Sequence, residues 1–163
     1  MKTPVTFSLS AQSIVNQALA LSALRRAIGR PACYEGLLTS DKASALRMVA
    51  KAAFAEIVLR LMRHVGDASI NNEGPQPVTV NDESLLLTVA LYLPADVTFD
   101  EQGVVRRLLE HATTMLTLSM AYSAADNATA DRYRQLAEKS VDNLAKILNS
   151  SDEIPTTFAL CWL

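Results

Sequence analysis

The spacing of the hydrophobic residues changes at Ser10. Residues 4–9 alternate apolar and polar side chains, which is the period-two pattern of a half-buried strand. Residues 11–28 instead repeat their apolar side chains every three or four positions, as an amphipathic helix does. Ser10 is the expected N-cap of this helix. The expected buried stripe comprises Ile14, Val15, Ala18, Leu21 and Leu24/Arg25.

The clearest helical pattern of the chain lies in residues 42–65, and Thr39 or Ser40 is expected to cap it. Its main apolar stripe comprises Leu46, Val49, Ala53, Ile57, Leu61 and Val65. A second set of apolar residues is expected to widen that stripe: Met48, Ala52, Ala55, Leu59 and Met62. Glu56 and Arg60 form an i,i+4 ion pair on the outside of this helix.

A run of mostly apolar residues, 85–93, lies between acidic turns and admits two interpretations. Asn81 and Asp82 could cap a helix over residues 83–93. Alternatively, residues 77–80 and 85–93 form a hairpin in which one face of the second strand is fully buried and the other is partly covered. The run is short, contains β-branched residues and ends at a proline, and these features favour the strand.

Two further helices follow, and the first of them opens with a capping box. The hydroxyl of Thr98 can accept the amide of Glu101, while the Glu101 carboxylate reaches back to the Thr98 amide. This helix extends to about residue 123, and a last helix covers about residues 129–149. The chain then ends in the apolar sequence IPTTFALCWL, which is expected to form a short strand or arm. Such an arm packs on its own domain or adds to the sheet edge of a neighbour.

These elements predict an α+β fold, mostly helical, in which four main helices pack on a small antiparallel β-sheet. The sheet contains residues 4–9, 77–80 and 85–93, with 85–93 in the centre, and residues 156–162 could join it. A length of 163 residues favours one domain over residues 1–163, with an extended C-terminal arm at 150–163.

Charge is unevenly distributed, although the net charge is only −2. Residues 2–63 carry nine Lys/Arg and three Asp/Glu, a net charge of +6, whereas residues 67–101 carry seven Asp/Glu and no Lys/Arg. A positive first half and a negative middle can complement each other within one molecule. They can also order neighbouring copies.

The sequence offers little catalytic or metal-binding chemistry. Glu56, His64, Glu110 and His111 lack the Glu/His spacing of helical carboxylate metal sites, so His64 is expected to favour a helix C-terminus and His111 to lie at a surface or boundary. The two cysteines make no disulfide framework and the five glycines make no phosphate-binding loop. We therefore expect no catalytic residue, no metal, no cofactor and no small-molecule substrate.

Targeting signals and nucleic-acid signatures are also weak. The first twelve residues contain one Lys and no continuous apolar core, so a secretory signal is not expected. No apolar run reaches the roughly 18–20 residues that cross a bilayer, so no membrane partner is expected. A pI near 5.7 argues against direct nucleic-acid binding. Arg25, Arg26 and Arg30 are therefore expected to form a solvated face or to pair with the acidic middle.

The order of elements resembles a known class of protein. A strand, a helix, the connector CYEGLLTSD, a long helix, the strand SLLLTVALYLP, another long helix and a final helix with DRYRQLAEKSVDNLAKIL follow one another. This layout is similar to that of small helical structural proteins of tailed bacteriophages and prophages, of the head–tail connector or neck-adaptor type. The resemblance implies rings of subunits and no catalytic residues. It also implies an aromatic residue before the final helix, which Tyr122 matches.

The resulting hypothesis is a non-enzymatic structural or assembly protein, a component of a phage or prophage particle. Its partners would be itself or other phage structural proteins, and it would reside in the virion if phage-encoded and in the cytoplasm otherwise. The alternative is a cytoplasmic helical adaptor that binds one protein partner. The candidate interface residues are Arg25, Arg26, Arg30, Asp82, Glu83, Phe158, Trp162 and Leu163.

Overall fold

The structure is a computed structural model, and it describes residues 2–28, 38–65, 79–81, 86–94 and 97–149. The elements are β1 (Lys2–Ser10), α1 (Ala11–Ile28), α2 (Ala43–Arg60), β2 (Thr79–Asn81), β3 (Leu86–Pro94), α3 (Phe99–Tyr122) and α4 (Asn127–Asn149). Two short 3₁₀ turns, Ser40–Lys42 and Met62–His64, flank α2. The expected mostly helical α+β fold, with four main helices and an antiparallel sheet, is confirmed.

The described residues form a three-stranded sheet in which β3 lies between β1 and β2. β1 pairs antiparallel with all of β3, from Lys2 opposite Pro94 to Ser10 opposite Leu86. β2 pairs antiparallel with the first part of β3 only. Residues 86–93 are therefore a central strand, and the helical alternative for residues 83–93 is wrong.

The two faces of β3 explain its apolar sequence. Leu87, Val89, Leu91 and Leu93 are fully buried on the face that the helices cover. On the opposite face Leu86 is exposed, and the other side chains range from partly exposed to buried. A strand with one closed face and one partly covered face needs apolar residues at nearly every position, so it reads as a continuous apolar run.

α3 is the helix on which the other elements pack. It contacts α4 most extensively and also packs against α2, α1 and β1. Its buried residues include Val105, Leu108, Leu109, Ala112, Met115 and Leu116, and burial extends further around the helix, to Thr113, Thr114 and Thr117. Each of these hydroxyls donates to the carbonyl oxygen four residues earlier, at O···O distances of 2.7 to 2.9 Å. The buried hydroxyl groups are thus satisfied within the helix itself.

Local hydrogen bonds fix three helix starts. Ser10 accepts the Ser13 amide at 3.3 Å, which confirms the expected cap of α1. The capping box of α3 is also confirmed, since the Thr98 amide donates to Glu101 Oε2 at 2.6 Å and the Glu101 amide donates to Thr98 Oγ1 at 3.4 Å. Asp126 caps α4 by accepting the Thr129 amide at 3.1 Å. These bonds occupy amides that the first turn of a helix leaves without partners.

The start and end of α2 differ from the expectation. Lys42 is the residue before α2. Thr39 takes the N-cap position of the 3₁₀ turn that leads into α2, but neither Thr39 nor Lys42 makes a side-chain capping bond. The α-helix ends at Arg60 and tightens into the 3₁₀ turn, rather than continuing to Val65. A 3₁₀ turn of this kind often ends an α-helix because it satisfies the last carbonyl groups.

α1 also buries a slightly different stripe from the predicted one. Ile14, Val15 and Ala18 are buried as expected, but Leu24 faces solvent. The buried position in the last turns is Ser22, whose hydroxyl lies 2.8 Å from the Tyr122 hydroxyl. The expectation that Leu24 is buried is therefore wrong, and the serine at position 22 can be buried because the Tyr122 hydroxyl is its hydrogen-bond partner.

Several predicted features lie outside the described residues. These are most of the turn that follows β2, the C-terminal arm at 150–163 and its candidate strand at 156–162.

The capping box predicts a measurable effect at Thr98. Thr98→Ala removes the hydroxyl that accepts the Glu101 amide, so we expect the free energy of unfolding to fall by about 1 kcal/mol. Urea unfolding followed by circular dichroism measures it. Thr98→Ser keeps the hydroxyl and should change stability by only a few tenths of that amount. Equal losses in the two variants would contradict this account of the helix start.

Candidate functional site

The four residues weighed as a metal site are engaged separately in the fold. Glu56 accepts Arg60 Nη2 at 2.8 Å, which confirms the expected i,i+4 pair. The described residues contain no group of three or more His, Cys, Asp or Glu side chains placed to hold a metal ion. Glu110, His111 and His64 each belong to a different contact. The four side chains thus take part in separate contacts.

Glu110 belongs to a polar cluster between α1 and α3. Its Oε1 atom accepts Ser13 Oγ at 3.0 Å and Gln17 Nε2 at 2.8 Å. Gln17 in turn accepts the Thr114 hydroxyl at 3.2 Å through its Oε1 atom. These part-buried bonds fix the position of α1 on α3, and a hydrogen bond to a charged carboxylate is stronger than one between neutral groups.

His111 faces α4 rather than α1. Its Nδ1 atom lies 2.9 Å from the Ser140 hydroxyl, and that hydroxyl also donates to the Leu136 carbonyl at 3.2 Å. Burial lowers the pKa of the His111 imidazole, because the protonated ring loses hydration. The boundary position expected for His111 agrees with this half-buried contact.

His64 lies where three parts of the chain meet. Burial first, and then the charges of Lys2 and Arg63, lower the pKa of its imidazole. Lys2 Nζ also donates to the Leu148 carbonyl oxygen at 2.6 Å, so the start of β1 and the end of α4 lie near this histidine. The expected favourable interaction of a protonated His64 with a helix C-terminus is therefore outweighed by burial and by two neighbouring cations.

Arg25, one of the candidate interface residues, is engaged within the molecule. Its guanidinium lies 3.8 Å from Asp126 and donates to the Thr129 hydroxyl. It also lies over the Tyr122 and Tyr133 rings, 5.9 and 6.0 Å from their centroids, and the two rings stack at 5.9 Å. Arg25 therefore joins α1 to the α3–α4 turn, and its acidic partner lies outside the acidic middle of the chain.

The side chains of the remaining candidate interface residues lie outside the described part of the chain. The Arg26 backbone lies in α1, but its side chain is outside the described part of the chain. The other six residues are also outside it: Arg30, Asp82, Glu83, Phe158, Trp162 and Leu163.

An apolar strip on α2 faces solvent and was assigned to the core by the sequence pattern. Met48, Leu59 and Met62 are 68%, 62% and 55% exposed, so the expectation that they widen the buried stripe is wrong. The buried stripe is widened instead by Ala50, Phe54 and Val58, on α2's inner face. Exposed Ala52 and half-buried Ala55 lie between them, and the resulting spacing of four and three positions keeps all five residues on one side of the helix. We call these five residues, 48, 52, 55, 59 and 62, the outer strip.

The outer strip is about 21 Å long at 1.5 Å per residue, and it has a basic surround. Lys51 flanks it on one side, with the half-buried Arg47 closer to the core, and Arg63 flanks it on the other. Glu56 is the acidic neighbour, and it is already paired with Arg60, which also reaches Glu138 of α4 at 3.5 Å. Apolar surface rimmed by charge is typical of a protein-binding site rather than of a catalytic one.

The exposure of one further apolar residue was not predicted from the sequence. Phe99 is the first residue of α3 and is 87% exposed, directly after the Thr98 cap and before Asp100 and Glu101. Its exposure had a signal in the sequence, since position 99 lies inside a polar capping motif and outside the buried spacing of α3. A solvent-exposed aromatic ring at the start of a helix is well suited to anchor a protein interface.

Comparison of the chain with protein-family models, curated proteins and solved structures gave no match. Among the described helices, none is both long and apolar enough to span a bilayer. The candidate site is therefore identified from the structure of this chain, as an exposed apolar strip with basic residues beside it.

The two faces of α2 predict opposite effects of truncation. Ile57→Ala opens a cavity in the core and should lower the free energy of unfolding by about 2–5 kcal/mol. Leu59→Ala removes a solvent-exposed side chain and should change it by less than about 0.5 kcal/mol. Urea unfolding of both variants measures the difference, provided that the free energy of unfolding falls with urea concentration at the same slope in each. A large loss for Leu59→Ala would mean that the outer strip is covered within the molecule.

The lowered histidine pKa values predict acid sensitivity. The unfolded chain takes up a proton on each imidazole near pH 6.5, whereas the folded chain does so only at lower pH. The unfolded state thus binds more protons in this range, and the free energy of unfolding should fall as the pH drops below about 6.5. His111→Gln removes one of the two contributions and should flatten the decline between about pH 7 and 5. An unchanged slope would contradict the lowered pKa of His111.

Proposed function

We propose that this chain is a non-enzymatic assembly protein that works through protein–protein contacts, with the outer strip of α2 as a contact surface. The observation that carries the proposal is the exposure of Met48 and Leu59 on a helix whose other face is packed, together with that of Met62 in the 3₁₀ turn that follows. A contiguous apolar surface on a folded protein favours association, because association removes it from water.

The assembly in question is a phage or prophage particle. This part of the proposal rests on the order of elements, which resembles head–tail connector or neck-adaptor proteins. The stacked pair of Tyr122 and Tyr133 is compatible with that layout, since the resemblance implies an aromatic partner before the final helix. The partners are then other copies of the chain or other structural proteins of the particle, and the location is the virion.

Charge supports contact between different surfaces of two copies. The chain is positive up to residue 63 and negative from 67 to 101, so the first half of one copy attracts the middle of the next. A contact between two different surfaces is heterologous, and it closes into a ring when the rotation between copies allows it.

The proposal predicts association that depends on concentration and on the outer strip. Light scattering across a range of protein concentrations, at about 0.05 M and about 1 M salt, should show a mass above that of the monomer, more so at low salt. Leu59→Glu places a charge in the apolar strip and should return the chain to the monomer. Leu24→Glu, which changes a similarly exposed leucine on α1, is the matched control and should associate like the unchanged chain.

A chain that stays monomeric at every concentration and salt would contradict self-assembly. Loss of association in the control as strong as in Leu59→Glu would show that the outer strip has no special part in it.

A further inference from the structure

The outer strip has a notch in its middle. Ala52 and Ala55 project only methyl groups, whereas Met48 on one side and Leu59 on the other carry long side chains. Met48 and Leu59 are separated by about 16 Å along the helix axis, which is longer than an aromatic ring is wide, and Ala52 between them is exposed while Ala55 is half-buried. A thioether beside an aromatic ring adds a favourable contact of its own.

Phe99 has the shape and the setting that such a notch requires. Its ring is 87% exposed, and the capping box on either side of it holds the backbone in one conformation. A side chain on an ordered backbone loses little conformational entropy on binding. Met48, Leu59 and Met62 of the outer strip are also more than half exposed, so most of both surfaces is open to a partner.

The charges beside the two features are opposite. Asp100 directly follows Phe99 and is exposed, and Glu101 comes next. Lys51 lies beside the notch, one position before Ala52, and Arg47 precedes it by one turn of the same helix. An acidic anchor and a basic notch attract each other and fix the register of the contact.

We propose that Phe99 of one copy docks in the notch of α2 on a second copy, with Asp100 against Lys51. This inference rests on the proposed function and names the partner of the outer strip as another copy of the same chain. Each copy carries both features, so every copy can give an anchor and receive one. The contact places an aromatic ring between methyl, thioether and isobutyl groups, away from water.

Phe99→Ala is the direct test. It removes the anchor, and Thr98 and Glu101 remain to hold the helix start, so the monomer should keep its fold by circular dichroism. The association constant from light scattering or analytical ultracentrifugation should fall by about 10- to 100-fold, as expected for a central aromatic anchor. Leu86→Ala, at another exposed apolar residue on the sheet, is the matched control and should leave association unchanged.

A charge exchange tests the register of the contact. Lys51→Glu and Asp100→Lys should each weaken association, because each places like charges opposite one another. The double variant restores an opposite pair and should recover most of the lost affinity. Lys51 has other interactions within the chain, and the double-mutant cycle separates its effect on the contact from those. Additive losses would overturn the assigned pair.

The outcomes separate this inference from the proposed function. If the unchanged chain associates, Leu59→Glu abolishes association and Phe99→Ala does not, another surface fills the notch and the inference fails while the function stands. If Leu59→Glu has no effect, the outer strip is not a contact surface and both fail. If the unchanged chain never associates, copies do not meet through Phe99, and self-assembly fails with it.

Discussion

The burial of α3 on nearly all sides is the constraint on which the rest of the structure depends. Between Ala112 and Ser119 every residue is buried, and the run contains three threonines and a serine. Such a helix can lie inside a protein only if its hydroxyl groups have partners, and the backbone carbonyls of the preceding turn supply them to the threonines. Short side chains then leave room for neighbouring helices on every flank.

The helices that pack on α3 differ in how much of their apolar surface they bury. α4 buries a single stripe and exposes a polar face, as a surface helix does. α2 buries one face and exposes another that is also apolar, so its local sequence disagrees with its solvent exposure. Disagreement of this kind is uncommon in a sequence selected only for folding, and it is concentrated where proteins function.

The sequence predicted those features that depend on neighbours along the chain. The capping box of α3 needs only residues 98–101, and the alternation before Ser10 needs only nine residues, so both were visible. The side of α2 that meets the core could not be predicted in this way, because both of its apolar stripes follow helical spacing. Which stripe is buried depends on the elements that pack against the helix. The destination of Arg25 depends on Asp126 and Tyr133, about a hundred residues later. Of the candidate site, the sequence supplied the residues of the outer strip but assigned them to the interior.

Among the described residues, β1 is an edge strand that pairs with β3 on one side. Backbone N–H and C=O groups on its other side therefore face outward along its nine residues. Open strand edges of that length invite pairing with foreign chains and, in the worst case, fibrous aggregation. Pro4 has no amide hydrogen to give, and Lys2 carries a charge at the first position. In the assembly proposed above, copies meet through α2, and these two features of β1 oppose pairing through the sheet edge, so that assembly stays distinct from misassembly.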